Sequence, residues 1–206
     1  MGGSGVCRTR QRGEVLRVDV FEALEKRHSV RSFLPDPVPV EMLERIVRAA
    51  SLAPSAMNQQ PWRFYVTTGE TRREVGEAMA QGTTHLEEFI DVMGPELHAQ
   101  AVQWYSELGS APVVIVCTMP KVEDEFWQLN THLSIGAAIE NVLLAATGQG
   151  LGACNITFSF YVRDELAKAL DIPDDREIIA IVAVGYPEEA QPTPAAHQTD
   201  VAVFLD

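Results

Sequence analysis

Basic residues are scarce: 16 Lys and Arg stand against 29 Asp and Glu in 206 residues, a formal net charge of −13 with histidine neutral. Such a field repels phosphodiester backbones and anionic lipid head groups, so neither nucleic acid nor a membrane is expected as a partner. Cysteine is scarcer still. Cys7, Cys117 and Cys154 form no CxxC pair and are odd in number, which excludes a disulfide framework and favours a reducing, cytoplasmic setting. The five histidines, His28, His85, His98, His132 and His197, share no HxxxH, HxH or CxxH spacing, so no metal motif is present. There is no GxSxG nucleophile elbow. The longest uncharged run, residues 141–162, is interrupted by Gly148, Gly150, Gly152 and Asn155 and makes a poor bilayer span. The Gly- and Arg-rich start has no apolar h-region and does not read as a secretory signal.

What remains is an ordinary globular composition, 46% apolar and 22% charged, long enough for one sizeable core. We expect a flexible leader over residues 1–17 and a single domain over 18–206, whose last stretch, 187–206, is a tail that docks. Helical periods begin at Asp19 and cover residues 41–52, 70–81, 95–108, 123–147 and 162–170, whereas 82–94 is ambiguous. Residues 62–68, 111–118 and 177–184 are rich in β-branched and aromatic residues and read as strands, the last two covered on both faces. Pro35, Pro37 and Pro39 stop any helix between the first two periods. The pattern is α+β. The long period over 123–147 is apolar on nearly all sides after Leu133, which requires burial, in part by a second subunit.

Three short stretches carry chemistry. Arg27, Ser29 and Arg31 alternate, so extended backbone would point two guanidinium forks and a hydroxyl the same way, the donor set of a phosphate site. Taken alone, such a triplet reads as a solvated loop; concentrating two of sixteen basic residues here favours the phosphate. Residues 54–62, PSAMNQQPW, form a proline-bounded polar loop whose amides either cap local backbone or read a neutral heterocycle. GQGLGA, residues 148–153, matches the letters of a dinucleotide fingerprint but lacks the strand before it and the helix after it. It reads better as a glycine helix stop, or as backbone that a planar ligand can approach. Cys154 reads as a small buried hydrophobe, and Trp104, Tyr105, Phe89 and Trp127 as core or interface rather than pocket.

Taken in order, RHSVRSF, APSAMNQQPWRF, IENVLLAATGQGLGAC and VAVGYP make the chain resemble the FMN-dependent nitroreductase family from residue 20 to about 187. The resemblance implies a nitroreductase-like α+β fold, a central, mainly antiparallel sheet flanked by helices, in an intertwined homodimer with FMN at the interface. It implies that Arg27, Ser29 and Arg31, with His28 beside them, hold the phosphate and ribityl chain. Pro54, Ser55, Ala56 and Asn58 would approach the flavin from the partner, Gln60 supporting the loop. Asn155, Ile156, Thr157 and Phe158 would run along the isoalloxazine, an amide near Thr157 serving N5. NADH or NADPH would be the electron donor, and a small molecule such as a nitroaromatic or quinone the acceptor, by a ping-pong mechanism. The chemistry then belongs to the cofactor, and no side chain need act as acid or base. The rival readings are a flavin-dependent dehydrogenase or oxidase of one metabolite, and a non-catalytic flavin-binding protein. Two departures stand out: no Lys or Arg follows Arg176, leaving His197 as the substitute for a basic tail residue, and Asn155 and Thr157 stand where relatives commonly carry Trp and a carboxylate or glycine.

Overall fold

Four apolar stretches pair into one antiparallel sheet in the computed structural model, which describes residues 19–188, 198 and 201–205. The expected leader and His197 lie outside the described residues, as does most of the expected tail.

Helix α1, Val20–Lys26, starts at Asp19, whose carboxylate accepts the Phe21 amide at 2.8 Å. Helix α2, Val40–Ser51, begins one residue after the last proline of the stop and buries Leu43, Ile46 and Ala50. Strand β1, Arg63–Thr68, leads through Gly69 into α3, Gly69–Gly82. The ambiguous stretch becomes a 3-10 turn, Thr83–Phe89, and one turn of helix, α4, Ile90–Met93. Gly94, at φ +76°, separates it from α5, Pro95–Glu107. Strand β2, Val113–Pro120, precedes α6, Glu125–Gly148, which Asp124 caps by accepting the Trp127 amide at 2.9 Å. Strand β3, Gly152–Ile156, was legible only as extended chain. After it, a 3-10 turn, Phe158–Val162, takes the start of the last expected helix, leaving α7 as Arg163–Ala169. Strand β4, Arg176–Gly185, ends the sheet.

The strand order is β1-β2-β4-β3 and every pair is antiparallel. Side-chain alternation divides the core into two layers. Val113, Ile115, Cys117 and Met119 of β2 join Ala180, Val182 and Val184 of β4 beneath α2 and α6. Val114, Val116, Ile181 and Ala183 face α3 and α7 on the other side. Ile178 has the parity of the first layer yet packs in the second. The ladder explains this, because Cys117 pairs with Ala180 and Thr118 with Ile178, so Ile179 is an extra residue in a β-bulge.

GQGLGA is a helix stop. The Gly150 amide donates to Thr147 O at 2.9 Å and the Leu151 amide to Ala146 O at 2.9 Å, with Gly150 at φ +75°. That is a Schellman closure of α6, so the dinucleotide-fingerprint reading is set aside. Burial of α6 is one-sided in the single chain: Ile135, Ala138, Ile139 and Val142 are buried, while Phe126, Leu129 and Leu133 are exposed. Among the described residues, no helix is long and apolar enough to cross a membrane.

Candidate functional site

The arginine triplet lies on the outer edge of β3. Ser29 forms a parallel bridge with Ala153, and the Val30 amide donates to Ala153 O at 3.1 Å, so residues 29–30 act as a short extra strand. Gly152 permits this approach, since a Cβ there would stand 2.6 Å from the Val30 side chain. Downstream, the Phe33 amide donates to Gly109 O at 2.9 Å, and the Trp104 indole N–H to Arg31 O at 2.6 Å. The Leu34 amide donates to Tyr186 O at 2.8 Å and the Glu188 amide to Ser32 O at 3.1 Å. The backbone of residues 29–34 is therefore held along most of its length.

Of the three side chains expected to converge, Ser29 and Arg31 act on one group and Arg27 does not: burial pushes the Cys154 thiol up, and both Arg31 and the Ser29 hydroxyl oppose that shift. The same guanidinium opposes the upward shift that burial, and then Cys154, impose on the Tyr105 phenol. Cys117, by contrast, meets burial alone and is pushed up to about 12. Arg27 turns to α6, its Nε 3.3 Å from Glu140 Oε1. The His28 Nδ1 lies 2.9 Å from Lys26 O, while its Nε2 is buried with no partner.

The loop from Pro54 to Pro61 is built differently. Met57, Asn58 and Gln60 all take positive φ, at 49°, 57° and 47°. Side chains hold this conformation: the Gln60 amide donates to Ser55 Oγ at 3.0 Å, and Gln60 Nε2 to Asn58 Oδ1 at 3.0 Å. The Ala56 amide donates to Ser134 Oγ on α6 at 3.3 Å. At the far end Arg176 donates from Nη2 to Pro61 O at 2.8 Å and from Nε to Thr118 Oγ1 at 2.9 Å. Sequence reading missed Arg176 because its partners are 58 and 115 residues away. Ser134 and Glu140 are six residues apart on α6, which at 100° per residue sets them about 120° apart around the axis. The loop and Arg27 thus stand on different sides of one helix.

Beyond the bridge, Asn155 and Thr157 are exposed, Ile156 is buried and Phe158 half-buried. A cavity of about 540 Å³ opens at Thr157, where β3 stops and leaves β4 without a partner on that edge. Its apolar wall is Tyr105, Phe158, Phe160 and Tyr161, with Leu86 and the bulged Ile179. His132 and Arg163 are its basic members. None of these residues other than Thr157 and Phe158 was expected at the site, since α5, the 3-10 turn and the bulge meet only through the tertiary fold.

A family model described as the nitroreductase family matches residues 24–186. A nitrobenzene nitroreductase of Ectopseudomonas oleovorans is 27% identical, over 84% of this chain and 88% of that protein. A BluB-like flavoprotein of Clostridium difficile superposes with a TM-score of 0.76 at 22% identity, over 92% of this chain and all of the other. The FMN-dependent nitroreductase NfnB of Mycobacterium smegmatis, solved with NADPH, gives 0.75 at 21%, over 91% of this chain and all of that one. The span that the family model covers runs from within α1 past the end of β4 and holds the arginine triplet, the loop from Pro54 to Pro61 and residues 155–158; the chain belongs to the nitroreductase family.

Proposed function

We propose that this chain is an FMN-dependent oxidoreductase that carries two electrons from NADH or NADPH to a small acceptor, a nitroaromatic, quinone or similar molecule, donor and acceptor using one site in turn. The observation that supports the reading is the clasp of residues 29–30 onto Ala153 of β3, which brings Ser29 to the strand that runs into residues 155–158.

The residues present fit the cofactor. His28 Nε2 is a buried polar atom lacking a partner, a deficit that a phosphate or ribityl oxygen would meet. The Arg27–Glu140 pair is partly exposed and so worth about 0 to 1 kcal/mol, which a phosphate can displace at small cost. Arg27, Ser29 and Arg31 would hold the phosphate end, and residues 155–158 would run along the ring, an amide near Thr157 serving N5. When bound, FMN supplies the redox chemistry, taking hydride from the nicotinamide and passing electrons on. Ser55, Asn58 and Gln60 then read the ring's polar edge from a partner subunit, which is why their loop stands away from Arg27 within one chain.

The same geometry supports a homodimer. Val20, Phe21 and Leu24 on α1, and Phe126, Leu129 and Leu133 on α6, are exposed in the single chain, as are Val201 to Leu205. These surfaces suit an obligate-type interface. The relatives' names favour the same chemistry, one being a nitrobenzene nitroreductase and another FMN-dependent and solved with NADPH.

The test is anaerobic spectroscopy of the protein with added FMN. NADH or NADPH should bleach the flavin, a quinone or nitroaromatic should restore its colour, and double-reciprocal plots should be parallel. Flavin that stays oxidised with both nicotinamides rejects the reading. A stable monomer in sedimentation at micromolar concentration rejects the shared site.

A further inference from the structure

The cavity at the end of β3 is used neither by the phosphate grip nor by the loop from Pro54 to Pro61. We propose that it is a receiving site for a planar aromatic carboxylate, with Arg163 as the residue that selects the acid over its neutral analogue; this rests on the reading above, in which an acceptor meets the flavin beside Thr157.

Size and lining come first. About 540 Å³ falls inside the range of roughly 300–1,000 Å³ typical of small-molecule pockets. The aromatic wall is ordered before any ligand arrives. Tyr105 and Phe158 stack with centroids 4.2 Å apart at 27°, Phe158 meets Tyr161 at 5.2 Å, and His85 stacks on Tyr161 at 4.6 Å. Such a wall suits a planar ring through offset-stacked or edge contacts. The bulge adds Ile179, a residue that the regular ladder would have paired.

Charge selects the substituent. In a chain with 29 acids and 16 bases, this lining contains no carboxylate among the described residues, Glu177 standing behind it as the partner of Arg163. Arg163 lies over the Phe160 ring, its Cζ 4.3 Å from the centroid, so the guanidinium plane is fixed. Its Nη1 forms a long ion pair with Glu177 Oε2 at 3.8 Å, which a ligand carboxylate would have to outcompete, and among the described residues its buried Nε has no acceptor. A carboxylate accepts two parallel N–H bonds from such a fork. A neutral amide of the same shape offers one oxygen and no charge.

Binding can be read without turnover. Calorimetric titration of the full chain, with excess FMN present, would compare 4-methylbenzoate with 4-methylbenzamide. We expect the acid to bind roughly tenfold or more tightly, the scale of one charge-assisted hydrogen bond. Arg163→Gln should erase the preference and Arg163→Lys retain part of it, while Tyr161→Leu should weaken both ligands alike. Equal affinities in the unaltered protein, a preference that survives Arg163→Gln, no binding of either ligand at millimolar concentration, or competition between FMN and 4-methylbenzoate would each overturn the proposal. Flavin reduction by NADH or NADPH is measured separately. Selective binding with unreduced flavin would leave this site standing and reject the reductase, whereas reduced flavin without selectivity would reject this site alone.

Discussion

The two segments that carry the polar groups of the site reach their shapes by opposite means. Residues 29–34 are placed by main-chain bonds to β3, to Gly109 and to Tyr186, so their course does not depend on the side chains of Ser29 and Arg31. The loop from Pro54 to Pro61 is placed by its own side chains, which must hold three non-glycine residues at positive φ. Left-handed backbone costs an ordinary residue roughly 1–2 kcal/mol, so the loop's hydrogen bonds offset strain as well as making contacts. The first segment can thus lose the Arg31 side chain and keep its course, whereas the loop cannot lose the Ser55 hydroxyl without losing a bond that holds its shape.

The largest effect should come from breaking the backbone placement of the first segment. Gly109 sits at φ +60°, and a Cβ there would overlap the Arg31 carbonyl oxygen, a main-chain atom that cannot swing aside. Gly109→Ala should destabilise the fold by about 3 kcal/mol, read by denaturant unfolding. Next in size is the grip itself. Arg31→Ala should weaken FMN by roughly 1.5–3 kcal/mol in an equilibrium titration while shifting the melting temperature little, because the Arg31 carbonyl that Trp104 and Gly109 contact is retained. An unchanged dissociation constant would dissociate this segment from the phosphate.

Smaller effects test the loop. Ser55→Ala removes the acceptor of the Gln60 amide and should cost about 1 kcal/mol of stability, together with a loss of flavin affinity that Arg31→Ala does not share in kind. Proteolysis confined to the loop in Ser55→Ala would sharpen the contrast; a melting curve identical to the parent's would break it. The smallest shift belongs to Glu140→Gln. Stability should move by no more than about 0.5 kcal/mol, yet FMN should bind more tightly because Arg27 loses a competing carboxylate.

Legibility in the sequence followed the range of the interaction. The period of α6 gave its extent within two residues, since it depends on neighbours one turn away and on the Asp124 cap. The Gly82–Gly94 stretch resisted reading because its turns are 3-10 and it ends on the positive φ of Gly94. Arg27, Ser29 and Arg31 were legible as a donor set, but not the turning of Arg27 toward Glu140, which lies 113 positions on in the chain. Trp104 packs against the second core layer as expected, but the bond from its indole N–H to Arg31 O was not legible. The aromatic wall was invisible for the same reason, as Tyr105 and Phe158 come together only when α5 and the turn after β3 pack on one layer.

The extra residue in β4 has an evolutionary consequence. Without Ile179, Ile178 and Ala180 would follow one another and Thr118 and Cys117 would pair with neighbours, a regular ladder with both layers in step. Deleting it should give a steadier sheet and a poorer receptor, the familiar exchange of stability against activity. A single codon therefore separates two versions of this protein: one whose wall beside the end of β3 includes the bulged Ile179, and one whose wall lacks it.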